Sequence, residues 1–287
     1  MLHLADTPFR KVWIKARAGD AYTISWGKKI SAFLLSKGVE VYVDPLLGYS
    51  IDAKVLPETM LSNVDLAIII GGDGTLLRTV QKSRGVLPPI LGFSAKSLGF
   101  FFENDVEYYP SVLEKILGGK FVLHKVALGE YSVENFNGVF LNEVSAWAEK
   151  GKVIEYEVVV GDQLFYHARS DGIIINTPAG SAGHALSYNM PLFFVWNVPL
   201  LSFLPVGALS PLIKPFIVSE KTIKVKFLTW PSIIVVDGQR RYEAKSGTVL
   251  ETTIGRKWLE LVYLGREYVT PAKLRRRFFD RGFSGIP

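Results

Sequence analysis

The stretch DLAIIIGGDGTLLRTV, Asp65 to Val80, runs an apolar segment straight into Gly71 and Gly72, then Asp73, then a third glycine, Gly74. Glycines where a strand passes into a helix let the backbone approach a ligand closely. The unpaired N–H groups of the helix start then favour a phosphate. A carboxylate at that spot repels bare phosphate by like charge, but it becomes useful when the ligand also offers a hydroxyl or a divalent cation. Asp73 can then accept the hydroxyl proton while the amides hold the phosphoryl group, a pairing that describes phosphoryl transfer to an alcohol. No Gly-Lys-Ser/Thr follows, so this is not a Walker loop. Leu77 stands where a dinucleotide fingerprint has its third glycine. A plainer reading stays open at this point, in which Asp73 only caps the helix of GTLLRTV.

The elements that must carry this turn are readable on either side of it. KVWIKAR and VEVYVD read as strands, and Ala21 to Ser36 has the helical spacing of Ile24, Ile30, Phe33 and Leu34, closed by Gly38. LAIII and PPILGF are short apolar runs of the kind buried on both faces. Thr75 to Lys82 and DVEYYPSVLEKILGG read as helices. Strand–helix alternation predicts an α/β domain over 1–120 with a parallel, doubly wound type of sheet and right-handed crossovers. After about Phe121 the pattern changes. VFLNEVSAW, IEYEVVVGDQLFYHAR, DGIIINT, TIKVKFL, SIIVVDGQRRYEA and LELVYLG alternate apolar and polar residues between Gly, Asp and Pro turns. That predicts a mostly antiparallel, β-rich, sandwich-like domain over 121–266. Residues 267–287 are expected to return to the first domain, with a terminal helix over Val269 to Phe279.

With 287 residues, two cores are expected rather than one. The chain has no Cys, which excludes disulfides, thiolate metal sites and a cysteine nucleophile. Its four His lack metal-ligand spacing, so no metal-ligating residues are assigned. A formal charge of +6 favours polyanionic ligands; the basic cluster KLRRRFFDRGF reads as a solvated helix face. The start MLHLADTPFRKVW lacks the pattern of a signal peptide. The apolar stretch Pro191 to Val218 carries Pro191, Pro199, Pro205, Pro211 and Pro215, unlike a membrane span, and reads as buried loop and short strands. The expectation is a soluble, cytoplasmic protein with no membrane partner and no nucleic-acid partner.

GGDGTLLRT resembles the signature shared by NAD kinases, diacylglycerol and sphingosine kinases and, more loosely, phosphofructokinases. Four further stretches resemble NAD kinases in order and spacing: SLGFF (Ser97 to Phe101), LNEVS (Leu141 to Ser145), RSDGIIINTPAGSAGHALS (Arg169 to Ser187) and VVDGQ (Val235 to Gln239). The resemblance implies transfer of a phosphate to the 2′-hydroxyl of the adenosine ribose of NAD, giving NADP. It further implies ATP or polyphosphate as donor, a divalent cation (Mg²⁺ or Mn²⁺), two domains enclosing the site, and a homodimer or homotetramer. The apolar stretch Pro191 to Val218 is a candidate interface.

The same resemblance makes Asp73 the general base, and Gly71, Gly72, Gly74, Thr75 and Arg78 the phosphate-binding set. Phe100, Asn142, Glu143, Arg169, Asp171, Ala182, Gly183, His184 and Ser187, with Asp73, are the expected NAD contacts. Asn142 and Glu143 would grip the adenosine half, the carboxylate accepting ribose hydroxyls, and Asp171 would act across a subunit interface. The chain departs from the family pattern at Ala179, Ala182, Gly183 and His184, where Thr, Thr, Ala and Tyr are usual, and at Gly207, where His is usual. Ala182 therefore lacks the hydroxyl that Thr offers the adenine. Two alternatives share features of the sequence: a lipid kinase of the diacylglycerol or sphingosine type, and a non-catalytic nucleotide- or nucleic-acid-binding protein.

Overall fold

The computed structural model describes residues 8–51, 53–95, 99–149, 152–229, 232–265, 270, 271 and 275. It divides into two compact units, one formed by the chain up to Lys125 together with residues from Leu259 onward, the other by Val126–Trp258.

The first unit alternates β1 (Lys11–Ala16), α1 (Ala21–Ser36), β2 (Glu40–Val43), α2 (Pro45–Gly48), β3 (Lys54–Val55), β4 (Leu66–Gly71), α3 (Asp73–Lys82), β5 (Ile90–Ser94), β6 (Asn104–Asp105) and α4 (Tyr109–Leu117). Its strands pair in parallel in the order β5-β4-β1-β2-β3. Asp20 caps α1 by accepting from the Tyr22 N–H, and Ile30 and Leu34 on its inner face are fully buried. With Leu113 and Ile116 of α4 they cover Val12 and Ile14 of β1 and Leu66, Ile68 and Ile70 of β4. The strand period turns Trp13, Lys15, Ala67 and Ile69 to the opposite face. Lys15 and Lys82, the latter on α3, both reach Glu58, which places α3 on that side. Helices therefore lie on both faces. The order of strands reverses between β1 and β4, so the crevice outside their carboxyl ends is the expected ligand position of such a sheet.

The second unit is a sandwich of antiparallel strands. They are β7 (Val122–Val133), β8 (Phe136–Phe140), β9 (Glu143–Ala148), β10 (Ile154–Val160), β11 (Gln163–Ser170), β12 (Gly172–Asn176), β13 (Leu200–Val206), β14 (Phe216–Ser219), β15 (Ile223–Phe227), β16 (Ser232–Val236), β17 (Arg240–Ala244) and β18 (Val249–Tyr263). One layer has β11-β10-β15-β18 and the β7-β8 pair, and the other has β14-β13-β12-β9-β16-β17. Alternate residues meet between the layers: Tyr156, Val225 and Leu250 from one, Ile173, Ile175, Phe203 and Ile234 from the other. Ile174 and Leu204 point to the outer face of the second layer, where Ala185 and Met190 cover them. Ala185 belongs to the second of two 3-10 turns, Ala179–Ala182 and His184–Tyr188, and Met190 follows it.

Three details differ from the sequence reading. VFLNEVSAW is not one strand: β8 and β9 belong to different layers, and the chain breaks between them at Leu141 and Asn142. Within the proline-rich stretch, β13 is a seven-residue strand paired on both sides. Pro205 is tolerated because β14 pairs only with Leu200–Phe203, so no strand needs its missing N–H. The last strand begins at Val249 rather than at LELVYLG, and its end belongs to the first unit, where Leu261 pairs with Ile90. The expected helix over Val269 to Phe279 and the basic cluster lie outside the described residues, apart from Thr270, Pro271 and Arg275.

Candidate active site

The crevice at the switch point of the first unit is a cleft of about 560 Å³. One wall is the end of β1, with Lys15, Arg17 and Ala18; another is the Gly72–Thr75 turn that opens α3, continued by Arg78 and Lys82. A Cβ on Gly71 would lie 2.6 Å from the Thr75 hydroxyl, so the tight strand-to-helix passage needs glycine there. At Gly74 a Cβ would meet no protein atom within 4 Å: the space beyond it is the cleft. The Thr75 and Leu76 N–H groups already donate to the Gly72 carbonyl, at 2.9 and 3.4 Å, and the positive end of the α3 dipole faces the cleft as the anion seat.

Asp73 is the first residue of α3, and it does not cap its own helix. The N-cap is Gly72, with no side-chain bond. The carboxylate instead accepts the Phe100 N–H at 2.7 and 2.8 Å and the Phe101 N–H at 3.1 Å. Gly99 allows this approach, because a Cβ there would lie 3.0 Å from Asp73 Oδ1. The Tyr263 hydroxyl holds the same loop through the Phe101 carbonyl. Phe100 thus meets Asp73 through its backbone. Its ring is 3% exposed and packs edge-on against Phe101.

Lys15 is the buried cation of the cleft, 4% exposed, with Nζ 2.5 Å from Glu58 Oε1 and 3.6 Å from Asp44 Oδ2. Lys82 also reaches Glu58, at 3.5 Å. The two carboxyls respond oppositely. Burial pushes Asp44 up against the attraction of Lys15. Burial acts on Glu58 too, but its hydrogen bond to Lys15, with help from Lys82, outweighs it and holds Glu58 below the ordinary value. Glu58 is therefore the ion-pair partner of Lys15. Among the described residues no three His, Asp or Glu side chains gather as a metal cage.

In the second unit, the break between β8 and β9 presents Asn142 and Glu143. Thr177 clamps it from one side, donating its hydroxyl to the Leu141 carbonyl at 2.5 Å and its N–H to the Asn142 carbonyl at 2.9 Å. Asp237 clamps it from the other, its carboxylate accepting the N–H groups of Leu141, Asn142 and Glu143 at 2.9, 2.8 and 3.1 Å. The turn Ala179–Ala182 lies directly over the pair. A Cβ on Gly180 would come within 2.0 Å of the Asn142 carbonyl oxygen, and one on Gly183 within 2.9 Å of Glu143 Oε2. Asn142 Oδ1 and Glu143 Oε2 are buried and without a hydrogen-bond partner. Buried polar atoms are seldom left unpaired, so these two mark a place for a ligand. Glu143 is pushed up to about 8, first by burial and then by the Asp237 charge, while the His184 N–H opposes both.

Of the other expected contacts, Ala182 is a buried residue of the turn and Gly183 touches the pair, while Ser187 and His184 are exposed. The His184 ring lies 5.3 Å from Trp147 and 5.4 Å from Tyr188. Arg169 and Asp171 are not brought to this place. β12 separates them from it, because Gly172 pairs with Trp147 at one end and Asn176 with Glu143 at the other. Five residues of strand span about 17 Å. The Asp171 carboxylate fills the space beside Gly207, where a Cβ would lie 2.2 Å from its Oδ2. Sequence reasoning missed Lys15, Arg17, Lys82 and Glu58, and gave no role to Thr177 or Asp237, though both stand inside the quoted stretches. An Asp-Gly between two apolar runs reads as a hairpin turn and does not say what its carboxylate reaches.

Two family models match: the ATP-NAD kinase N-terminal domain over residues 13–121 and the ATP-NAD kinase C-terminal domain over residues 141–264. Among similar proteins, the NAD kinase of Thermoplasma acidophilum is 30% identical over 75% of this chain and 79% of its own. The NAD kinase of Methanothermobacter thermautotrophicus is 29% identical over 96% of this chain and 99% of its own. The crystal structure of yeast NADH kinase complexed with NADH covers 96% of this chain and 89% of its own, with a TM-score of 0.86 and 18% identity. That of an NAD kinase from Archaeoglobus fulgidus in complex with ATP covers 92% and 98%, with a TM-score of 0.73 and 23% identity. The matches support neither a lipid kinase nor a non-catalytic nucleic-acid-binding protein.

Proposed function

We propose how the reaction is divided over this chain, which belongs to the NAD kinase family and is an NAD kinase. The first unit carries the phosphoryl donor and the base, and the second grips the dinucleotide. The observation that carries this reading is the cleft at the sheet's switch point. Among the described residues that line it, Asp73 is the only carboxylate beside four cations and the first amides of a helix.

Asp73 accepts the proton of the 2′-hydroxyl of the adenosine ribose. As the bond from that oxygen to the donor's terminal phosphorus forms, the bond from phosphorus to the donor's bridging oxygen breaks. ADP, or a polyphosphate shortened by one unit, leaves with the electron pair. An Asp side chain in water is a weak base, with a pKa of about 3.9. In a loose transition state the proton leaves late, so orientation and charge neutralisation supply most of the acceleration. The amides of Phe100 and Phe101 give the carboxylate its orientation. The Gly72–Thr75 turn, open to the cleft at Gly74, seats the donor phosphates, and Arg17, Arg78 and Lys82 supply the counter-charges. Asn142 and Glu143 receive the adenosine half, since their unpaired atoms need the hydroxyls or amine that a nucleoside offers. Arg169 and Asp171, too far along β12 to join them, serve a dinucleotide held by a second copy, which is why we read the protein as a homodimer or homotetramer.

The chain builds no metal cage among its described residues. A hard divalent cation such as Mg²⁺ or Mn²⁺ would enter with the donor phosphates, and the Asp73 carboxylate is the oxygen ligand that the cleft would offer it. Such an ion neutralises charge on the transferring phosphoryl group. No described helix is long and apolar enough to cross a membrane, and we place the reaction in the cytoplasm.

The test is Asp73→Asn with coupled detection of NADP from NAD, Mg²⁺ and ATP or polyphosphate. Turnover is expected to fall by about 10²–10⁴ with NAD affinity nearly unchanged, the worth of a positioned base. Activity within about tenfold of wild type would remove Asp73 from that role.

A further inference from the structure

Asp237 is not one of the residues assigned to substrate, yet the geometry around it is built. It sits in the turn between β16 and β17 in a left-handed conformation, φ 48°, and is 3% exposed. Its carboxylate accepts three consecutive backbone amides, those of Leu141, Asn142 and Glu143. Its own N–H returns to the Glu143 carbonyl at 2.9 Å. These bonds hold Leu141 and Asn142 out of a strand and fix Glu143 at the start of β9, where the pair faces the site. A second acid is then buried beside the first, because the Glu143 carboxyl belongs to the backbone that Asp237 grips.

We infer that Asp237 is a positioning residue for the dinucleotide: it presents Asn142 and Glu143, and its charge, second to burial, contributes to the pH range in which they grip. The inference rests on the reading that this pair binds NAD. Three influences bear on Glu143. Burial is the largest and the Asp237 carboxylate second, both opposing its ionisation; the His184 N–H favours it. Together they put the proton on Glu143 up to about pH 8. A neutral carboxyl both donates and accepts, as a ribose hydroxyl does. An ionised one adds a second buried negative charge beside Asp237, facing a ligand whose diphosphate is itself anionic. The wild-type KM for NAD is therefore expected to rise as pH passes through about 8.

The experiment compares KM for NAD and kcat from pH 6 to 9.5 in wild type, Asp237→Asn, Glu143→Gln and Glu143→Ala. Asp237→Asn removes the charge and part of the amide clamp. KM for NAD at pH 7 is expected to rise about tenfold, the worth of one hydrogen bond to a charged group, with kcat changed far less. The inflection of KM is expected to move to lower pH, because Glu143 now ionises more easily. Glu143→Gln keeps the shape and cannot titrate, so its KM is expected to be flat across the range. A merely structural Asp237 would raise KM and leave the inflection where it was, and that result overturns the inference. An unchanged KM in Asp237→Asn overturns it too. If Asp237→Asn does not fold, Glu143→Gln decides: an inflection near pH 8 that survives there overturns the inference, and a flat profile supports it. Glu143→Ala separates the two levels. No change in its KM for NAD sinks the reading of the pair as a dinucleotide site, whereas a raised KM there with Asp237→Asn unaffected sinks only the role of Asp237.

Discussion

The phosphate cleft of the first unit and the Asn142–Glu143 pair of the second solve opposite electrostatic problems. In the cleft, charges are many: Arg17, Arg78 and Lys82 stand in contact with water, and only Lys15 is buried, sharing Glu58 with Lys82. At the pair, charge is scarce and buried, two polar atoms have no partner, and one carboxylate is spent on holding backbone. The cleft tolerates change in its exposed cations because solvent and neighbours compensate. The pair tolerates little, because each atom near it either blocks a Cβ or waits for a ligand.

Substitutions that break this contrast are ordered by expected size. Lys15→Met takes the buried cation from Asp44 and leaves Glu58 only the exposed Lys82. It is expected to cost about 3–5 kcal/mol in urea unfolding, the penalty for breaking a buried pair. A loss below about 1 kcal/mol would show that the cluster is not the internal ion pair described. Gly180→Ala forces a methyl against the Asn142 carbonyl. About 1–3 kcal/mol of destabilisation, typical of overpacking, should accompany a raised KM for NAD; equal stability and KM would mean that the turn does not bear on the pair. Glu143→Gln sharpens the electrostatic side. The folded protein holds the Glu143 proton up to about pH 8, against an ordinary value of 4.5. Folding therefore favours the protonated form: the stability from this group is intact below 4.5, declines as pH rises, and is fully lost above 8. The gap in Tm between Glu143→Gln and wild type is expected to widen from about pH 5 to about pH 8 and then level off. A constant gap would refute the burial argument. Lys82→Ala is the mildest. KM for the donor should rise by less than about fivefold, and by less still at high salt, as for exposed charges.

The same contrast explains what the sequence alone reveals. The turn at the centre of the cleft is local: β4 is an Ile-rich apolar run, its glycines follow at once, and α3 starts where the carboxylate stands. Helix α1 was equally plain, because its apolar spacing and Gly38 lie within one segment. The pair is a product of register. Asp237 lies 94 positions from Glu143, and Thr177 36 from Leu141, and only the antiparallel pairing of β9 with β12 and β16 brings them together. Alternation of apolar residues was the right guide for strands in general. It failed at Leu141, where the pattern continues although the chain changes layer. The buried Lys15 was hidden for a similar reason, since a single cation in KVWIKAR reads as the solvent side of a strand.

One consequence follows from the bonds between Asp73 and the amides of Phe100 and Phe101. The exchange of those two amide hydrogens with deuterated solvent becomes a gauge of whether the carboxylate is seated, readable before any nucleotide is added. A ligand that draws the carboxylate toward itself would release the loop in the same step, and the two amides would lose their protection together.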